Sequence, residues 1–263
     1  MKMSFVIPAY NEEAYIGACV RSARREIRAC GCDGEVIVVD NASTDHTAEI
    51  ASAWPDVRVV FEPRKGLLFA RQRGFEESRG DLLACIDADT IVPRGWIARA
   101  LREFARNPHL ACLSGPYVYY DLSSPTRVIV ALWYLVALLV AGYINQYFFR
   151  TGAMLQGGNY IVRRSALEKI GGYDTGIAFY GEDTDLARRL IRVGKVRFTF
   201  RFSLPASGRR LRKEGVFQTG VAYAVNGISV MTRGRPSTLK YTDIREPARR
   251  TMAAGGGGFH RVD

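Results

Sequence analysis

The chain has 263 residues, 48% of them hydrophobic and 24% charged, and 37 Lys and Arg against 26 Asp and Glu give a formal net charge of +11. That length carries one substantial core and that composition excludes a disordered chain. The positive excess calls for an anionic partner, whether nucleic acid, an acidic membrane surface or a phosphorylated small molecule.

The predicted elements begin at once. Apolar, β-branched runs at 5–7, 36–39, 57–61 and 82–86 are short and bounded by polar or Gly/Pro residues, as strands buried on both faces are. Helix-length segments at 12–28, 45–54 and 67–78 separate them, and Asn41-Ala42-Ser43-Thr44-Asp45 supplies N-cap chemistry for the second. This alternation predicts a parallel sheet covered by helices, with ligands at the carboxyl ends of the strands. A second region follows over 159–202. It holds a strand at 160–162, a short helix at 165–170 stopped by Gly171-Gly172-Tyr173, a helix at 182–193 and a strand at 195–200. The tail from Ala253, with its run of glycines, reads as flexible. Five cysteines, without Cys-x-x-Cys spacing, argue against a zinc framework. Met1-Lys2 leads straight into a strand rather than a signal peptide, so a reducing cytosolic compartment is expected.

The strand ends carry Pro8-Ala9-Tyr10-Asn11-Glu12, Asp40-Asn41, Pro63-Arg64-Lys65-Gly66 and Asp87-Ala88-Asp89, so polar groups converge where a ligand should sit. Asp87-Ala88-Asp89 is the sharpest signal. Two carboxylates one small residue apart offer oxygen ligands to Mg²⁺ or Mn²⁺ bridging a diphosphate, whereas alone they read equally as a turn. Asp40 can accept from a base ring nitrogen or cap the next helix. Tyr10 can stack on a base and Glu12 can hold a ribose, or both can be surface residues. Lys65 and Arg71 offer charge to phosphates or form a solvated face. Glu182-Asp183, with Asp185, opens a helix whose dipole favours acids. Read functionally, Asp183 is a general base that deprotonates an acceptor hydroxyl.

Taken together the fragments resemble family 2 glycosyltransferases of the GT-A fold. The resemblance is carried by Phe5-Val6-Ile7-Pro8-Ala9-Tyr10-Asn11-Glu12-Glu13, Val38 through Asp45, Lys65-Gly66 through Ala70-Arg71, Asp87-Ala88-Asp89, Gly157-Gly158-Asn159, and Gly171-Gly172-Tyr173-Asp174 leading to Gly181-Glu182-Asp183-Thr184-Asp185. It implies a Rossmann-like α/β domain with a mainly parallel central sheet, a UDP-, GDP- or dTDP-sugar donor, and transfer with inversion to an acceptor hydroxyl or a lipid phosphate. The nucleoside falls near Pro8, Tyr10, Glu12 and Asp40, with Lys65, Arg71, Asp87 and Ala88 on the donor side. The metal, Mn²⁺ or Mg²⁺, falls at Asp89 with Asp87, and the base is Asp183. Gly158, Asn159 and Glu182 face the sugar and acceptor, and Arg209 and Arg210 resemble a basic element that holds the diphosphate. Gln72 departs from the family, which often has asparagine there.

The stretch 128–149 is uncharged between Arg127 and Arg150 and long enough to span a bilayer. A single span would separate Asp89 from Asp183. It is therefore expected to lie in the interface, re-enter near Gly142 or pack internally, and membrane association is favoured. Arg209, Arg210, Arg212 and Lys213 ahead of an apolar 215–231 segment fit an anionic lipid surface. The expected organisation is a nucleotide-sugar half (1–120), an apolar membrane insertion (121–151), an acceptor and base part (152–205) and a basic, apolar extension (206–263). The protein is then peripheral or monotopic at the inner face of the cytoplasmic membrane, acting on a lipid or lipid-linked acceptor. An inactive membrane- or polyanion-binding module is the alternative. Nucleotidyl transfer lacks a Gly-rich phosphate loop, and nucleic-acid binding rests on charge alone and is not expected.

Overall fold

A computed structural model describes residues 1–139, 153–238 and 243–245. Strand β1 (Met3–Ala9) is buried along its whole length. It lies between β2 (Gly34–Asp40) and β4 (Leu82–Ile86), parallel to both, and β3 (Val57–Phe61) pairs parallel on the far side of β2. The chain thus runs outward through β2 and β3 and then crosses to β4. That reversal makes the gap between β1 and β4 the switch point where such sheets bind ligands.

The register opens this gap. β1 pairs with β2 through Ala9, but with β4 only over Met3–Val6. Pro8, which has no N–H for a ladder, stands beyond the last pair with β4.

The sheet continues through β7 (Asn159–Arg163) to β5 (Leu110–Ser114) and β8 (Lys195–Phe198), in the order β3-β2-β1-β4-β7-β5-β8. β7 is antiparallel to both neighbours, so its first residue, Asn159, sits opposite Ile86 at the ligand end. The expected parallel sheet therefore holds with one reversed strand. β6 (Tyr117–Tyr119) and β9 (Leu204–Ala206) form a small separate pair beside the crevice.

Alternation along the strands divides the core. Phe5 and Ile7 of β1 pack with α1 (Ile16–Cys30) and α4 (Trp96–Arg106), and Trp96 stacks on Phe202 at 4.4 Å. Val6 faces the other way, toward α3 (Leu67–Glu77), α6 (Arg164–Lys169) and α7 (Glu182–Leu190). α1 starts four residues later than expected, because residues 10–15 form the loop that lines the crevice. α2 (Thr47–Ser52) is shorter at both ends than the 45–54 segment. All five cysteines are free thiols.

α5 (Ser124–Ala137) opens on Ser123, which caps Thr126 N–H, with Pro125 in its first turn. After α8 (Arg209–Glu214) comes α9 (Val216–Arg233), which packs beside α5, Gly220 lying against Trp133. Among the described residues no helix is long and apolar enough to cross a membrane. The second half of the 128–149 stretch, Gly142 included, and the tail from Ala253 lie outside the described residues.

Candidate active site

The loops after β1 and β2 are tied to each other before they meet any ligand. Thr44 N–H donates to Asn11 Oδ1 at 2.8 Å, Asn11 N–H to Ser43 Oγ at 3.1 Å and Glu12 N–H to Thr47 Oγ1 at 2.7 Å. Asn11 takes a left-handed φ of 51° to do so. Asp40, buried at the end of β2, accepts from Ser43 N–H at 3.2 Å. The Asn41 side chain donates to the carbonyls of Glu62 and Arg64 and accepts from Gly66 N–H, and this holds the loop that presents Lys65. Lys65 Nζ lies 3.0 Å from the Tyr10 hydroxyl and 4.6 Å from its ring centroid, with the Arg245 guanidinium 5.5 Å from the same ring. Tyr10 is thus a cation-flanked ring at the crevice mouth. Glu12 is buried, and its Oε1 meets Arg209 at 2.5 Å and Arg245 at 3.3 Å, whereas Oε2 has no hydrogen-bond partner among the described residues.

Asp87-Ala88-Asp89 is both a turn and a polar centre. Thr90 closes the turn by donating N–H and Oγ1 to the Asp87 carbonyl. The Asp87 carboxylate lies 2.7 Å from the Tyr117 hydroxyl and 3.4 Å from Arg71. Ala88 is buried. Asp89 pairs with Arg209 Nε at 3.0 Å, and its carbonyl accepts from Ser207 N–H. Burial pushes the Asp89 carboxyl up to about 7 against the pull of Arg209, and the charges of Glu12 and Asp87 add to the rise.

Arg71 joins this centre to α7. It is 1% exposed and binds Glu182 at 2.7 Å as well as Asp87. Burial raises Glu182 to about 7, again opposed by Arg71. The Gly157-Gly158 turn threads between these groups. A Cβ on Gly157 would come within 2.2 Å of Glu182, and Gly158 (φ 79°) lies against Asp87 and Tyr117. Of the three acids in the first turn of α7, Asp185 is consumed by Arg188 and Arg189 and Glu182 by Arg71. Asp183 takes part in no ion pair among the described residues. It accepts from Thr184 N–H at 2.8 Å, and burial raises its pKa. Burial pushes up the Tyr134 and Tyr223 phenols, with a lesser contribution from the charge of Asp183, and α9 packs against both α7 and α5.

The structure therefore brings Glu12, Arg71, Asp87, Asp89, Gly158, Glu182, Asp183 and Arg209 into one polar network. Arg71 is a buried strut rather than a solvated phosphate hook. Two expected site residues are placed elsewhere. The Asn159 side chain is fully buried and donates to the carbonyls of Gly115, Pro116 and Phe202, so it holds the strand ends together. Arg210 pairs with Glu214 and lies over the Phe179 ring. Gln72 accepts from Tyr173 N–H, a structural bond. Sequence reasoning missed Tyr117, Tyr134, Tyr223 and Arg245. A cluster of tyrosines at 117–120 was the one local signal.

The donor set around Asp89 is oxygen-only, which suits Mg²⁺ or Mn²⁺. Among the described residues no three His, Cys, Asp or Glu side chains form a metal cage. A cation held by one or two carboxylates and a substrate diphosphate needs none. Glu12 and Asp89 flank the same guanidinium, Arg209, and one Glu12 oxygen beside it has no hydrogen-bond partner among the described residues.

This mixed α/β architecture, with its acids at the switch point, is GT-A-like. Glucosyl-3-phosphoglycerate synthase from Mycobacterium tuberculosis, solved with Mn²⁺, UDP and phosphoglyceric acid, superposes with a TM-score of 0.62 at 22% identity, over 90% of this chain and 80% of that one. The mannosyltransferase of Pyrobaculum calidifontis, solved with GDP-Man and Mn²⁺, gives 0.59 at 20% identity, over 85% and 64%. Residues 4–171, well over half of the chain, match the model described as Glycosyl transferase family 2, and the chain belongs to that family. It is 36% identical over 110 residues to the undecaprenyl-phosphate 4-deoxy-4-formamido-L-arabinose transferase of Pseudomonas paraeruginosa, covering 40% of this chain and 32% of that protein. It is also 28% identical over 214 residues to the probable glycosyltransferase YdaM of Bacillus subtilis, covering 73% and 47%. The aligned segments thus span about a third and about half of these relatives.

Proposed function

We propose that the protein is an inverting glycosyltransferase that moves a sugar from a nucleotide-diphosphate-sugar to a hydroxyl on a lipid or lipid-linked acceptor. The observation that carries this is the Arg71 bridge, which fixes Asp87 of the Asp-x-Asp turn and Glu182, the neighbour of Asp183, against one side chain. Tyr10 with Lys65 receives the base, and Glu12 and Asp40 hold the nucleoside. Asp89 and Asp87 hold a divalent cation, which when bound supplies positive charge to the leaving diphosphate. Arg209, released from Asp89, turns its guanidinium to the same oxygens. Asp183 accepts the proton of the acceptor hydroxyl as that oxygen bonds to the anomeric carbon. The bond from that carbon to the diphosphate oxygen breaks, and its electron pair leaves with the diphosphate. Attack opposite the leaving group inverts the centre.

Melting curves with UDP-, GDP- and dTDP-sugars test the donor half. One of them, together with Mn²⁺ or Mg²⁺, is expected to raise the midpoint by mass action. Apparent Mn²⁺ affinity should fall about tenfold per pH unit below about 7, because a proton on Asp89 competes with the cation. No stabilisation by any donor with either metal would sink the proposal.

The lipid-borne acceptor is supported by α5 and α9. Val128, Ile129, Leu132, Leu135, Val136 and Leu139 are exposed along α5 and just beyond it, as are Phe217, Val225 and Ile228 on α9. Exposed apolar side chains at this density are of the kind that marks an interaction site, and α9, which carries part of them, packs against both α5 and α7, the helix on whose first turn Asp183 stands. Changing Leu135 and Leu139 to glutamate is expected to release the protein from pelleted membranes while leaving its melting midpoint close to wild type. A wild-type chain that stays wholly in the supernatant counts against membrane docking.

A further inference from the structure

The basic C-terminal cluster expected to meet an anionic membrane is largely spent inside the chain. Arg209 binds Glu12 and Asp89, Arg210 binds Glu214 and Arg212 binds Asp121. Only Lys213 of that cluster is left without an ion pair among the described residues, and a denser group of unneutralised charge lies on α4. Arg99, Arg102 and Arg106 fall on one face of α4 at i, i+3 and i+7, where like charges repel and weaken a helix. They line, with Arg201, a cleft of about 240 Å³. The one acid there, Glu103, is paired with Arg197 at 2.5 Å, so it offers these arginines little relief. Arg102 and Arg106 are exposed and form no ion pair among the described residues. Arg99 donates to the Arg201 carbonyl at 2.6 Å, which ties the helix to the 3₁₀ turn Phe200–Phe202 that forms the opposite wall.

That turn leads to the apolar face. Phe200 is exposed and meets Phe198 edge-on at 6.0 Å, and Phe198 stacks on Tyr134 of α5 at 6.2 Å. An arginine-lined cleft is thus joined through the exposed Phe200 ring and the half-buried Phe198 and Tyr134 rings to the helix pair read as membrane-facing. Aromatic rings at the headgroup level and guanidiniums against phosphates are the pattern of an interfacial anchor.

We infer that the cleft between α4 and the Phe200–Phe202 turn binds the phosphate headgroup of an anionic phospholipid, so that the protein selects acidic membranes through this site while α5 and α9 enter the apolar layer. The inference rests on the membrane-facing reading of α5 and α9. It goes beyond that reading in naming the lipid class and the residues that choose it.

The test is flotation of the full chain with vesicles of phosphatidylcholine alone and of phosphatidylcholine mixed with phosphatidylglycerol, at low and high salt. Wild type is expected to prefer the anionic vesicles. Arg102→Gln with Arg106→Gln should weaken that binding about tenfold or more, while leaving neutral-vesicle binding, the melting midpoint and donor-induced stabilisation unchanged. Leu135→Glu with Leu139→Glu should lower binding to both kinds of vesicle. If the arginine variant floats with anionic vesicles as well as wild type does, the inference is overturned and membrane docking stands. If wild type floats with neither vesicle, the membrane reading itself falls and takes the inference with it. Inorganic phosphate that binds wild type tightly, loses its binding in the arginine variant and leaves vesicle binding untouched would make this a soluble-anion site instead.

Discussion

Asp183→Asn is expected to cut sugar transfer by about a hundred- to ten-thousandfold, the range a positioned general base contributes, and to leave donor binding intact. The substitution is isosteric and keeps an oxygen for the Thr184 N–H at the first turn of α7. What is lost is the ability to take a proton. Asp183 is suited to that role because, unlike Glu182 and Asp185, it has no cation partner among the described residues. Burial lifts its pKa, and a carboxylate so lifted is a stronger base than a solvated one. The sign for pH follows. Wild-type transfer should fall on the acid side as Asp183 gains its proton, with a midpoint above the usual carboxylate value of about 3.9. The residual activity of the Asn variant should lack that limb. Activity loss accompanied by an equal loss of donor-induced stabilisation would point to a damaged crevice rather than a missing base.

The parts of this site that are legible in the sequence are those fixed by local chemistry. Runs such as 36–39 and 82–86 are apolar on every residue because their strands are covered on both faces, so strand and burial can be read together. Asp40 and Asp87 follow directly from such runs and therefore stand at the ligand end. The strand at 160–162 is legible too, but not its reversed insertion between β4 and β5, because pairing across tens of residues leaves no local trace. For the same reason Arg71 reads as a surface charge on an unremarkable helix, although the fold buries it between two acids distant in sequence. Asn159 errs the other way. Its glycine-flanked position suggests a ligand contact, whereas its amide bonds three backbone carbonyls that only the finished sheet brings together. Arg209 and Arg212 look free because the acids that neutralise them, Glu12, Asp89 and Asp121, lie about 90 to 200 residues earlier.

Arg71→Met should be the most destabilising single change in the site. It keeps much of the side-chain volume but leaves Glu182 and Asp87 facing each other without the buried cation that binds both. Removing one partner of a buried ion pair costs about 3–5 kcal/mol, a large share of the 5–15 kcal/mol that roughly bounds a domain's stability. Urea unfolding should show that loss, and donor-induced stabilisation should vanish as Asp87 and the start of α7 lose their common anchor. The pH dependence identifies the cause. Without Arg71, burial and the charges of Asp183 and Asp87 act on Glu182 unopposed, so its folded-state pKa rises beyond the value of about 7 it has beside the arginine. The unfolded chain releases that proton near 4.3. Between these values the folded state holds more protons than the unfolded state, so stability falls as pH rises, and it falls further in the variant than in wild type. The deficit should therefore be larger at pH 8 than at pH 5. Adding Glu182→Gln to Arg71→Met removes the titrating acid, and is expected to recover stability at pH 8 without recovering transfer. A deficit of Arg71→Met that is independent of pH, or a double variant no more stable than the single one, would mean that Arg71 supports the fold by packing rather than by holding the two carboxylates.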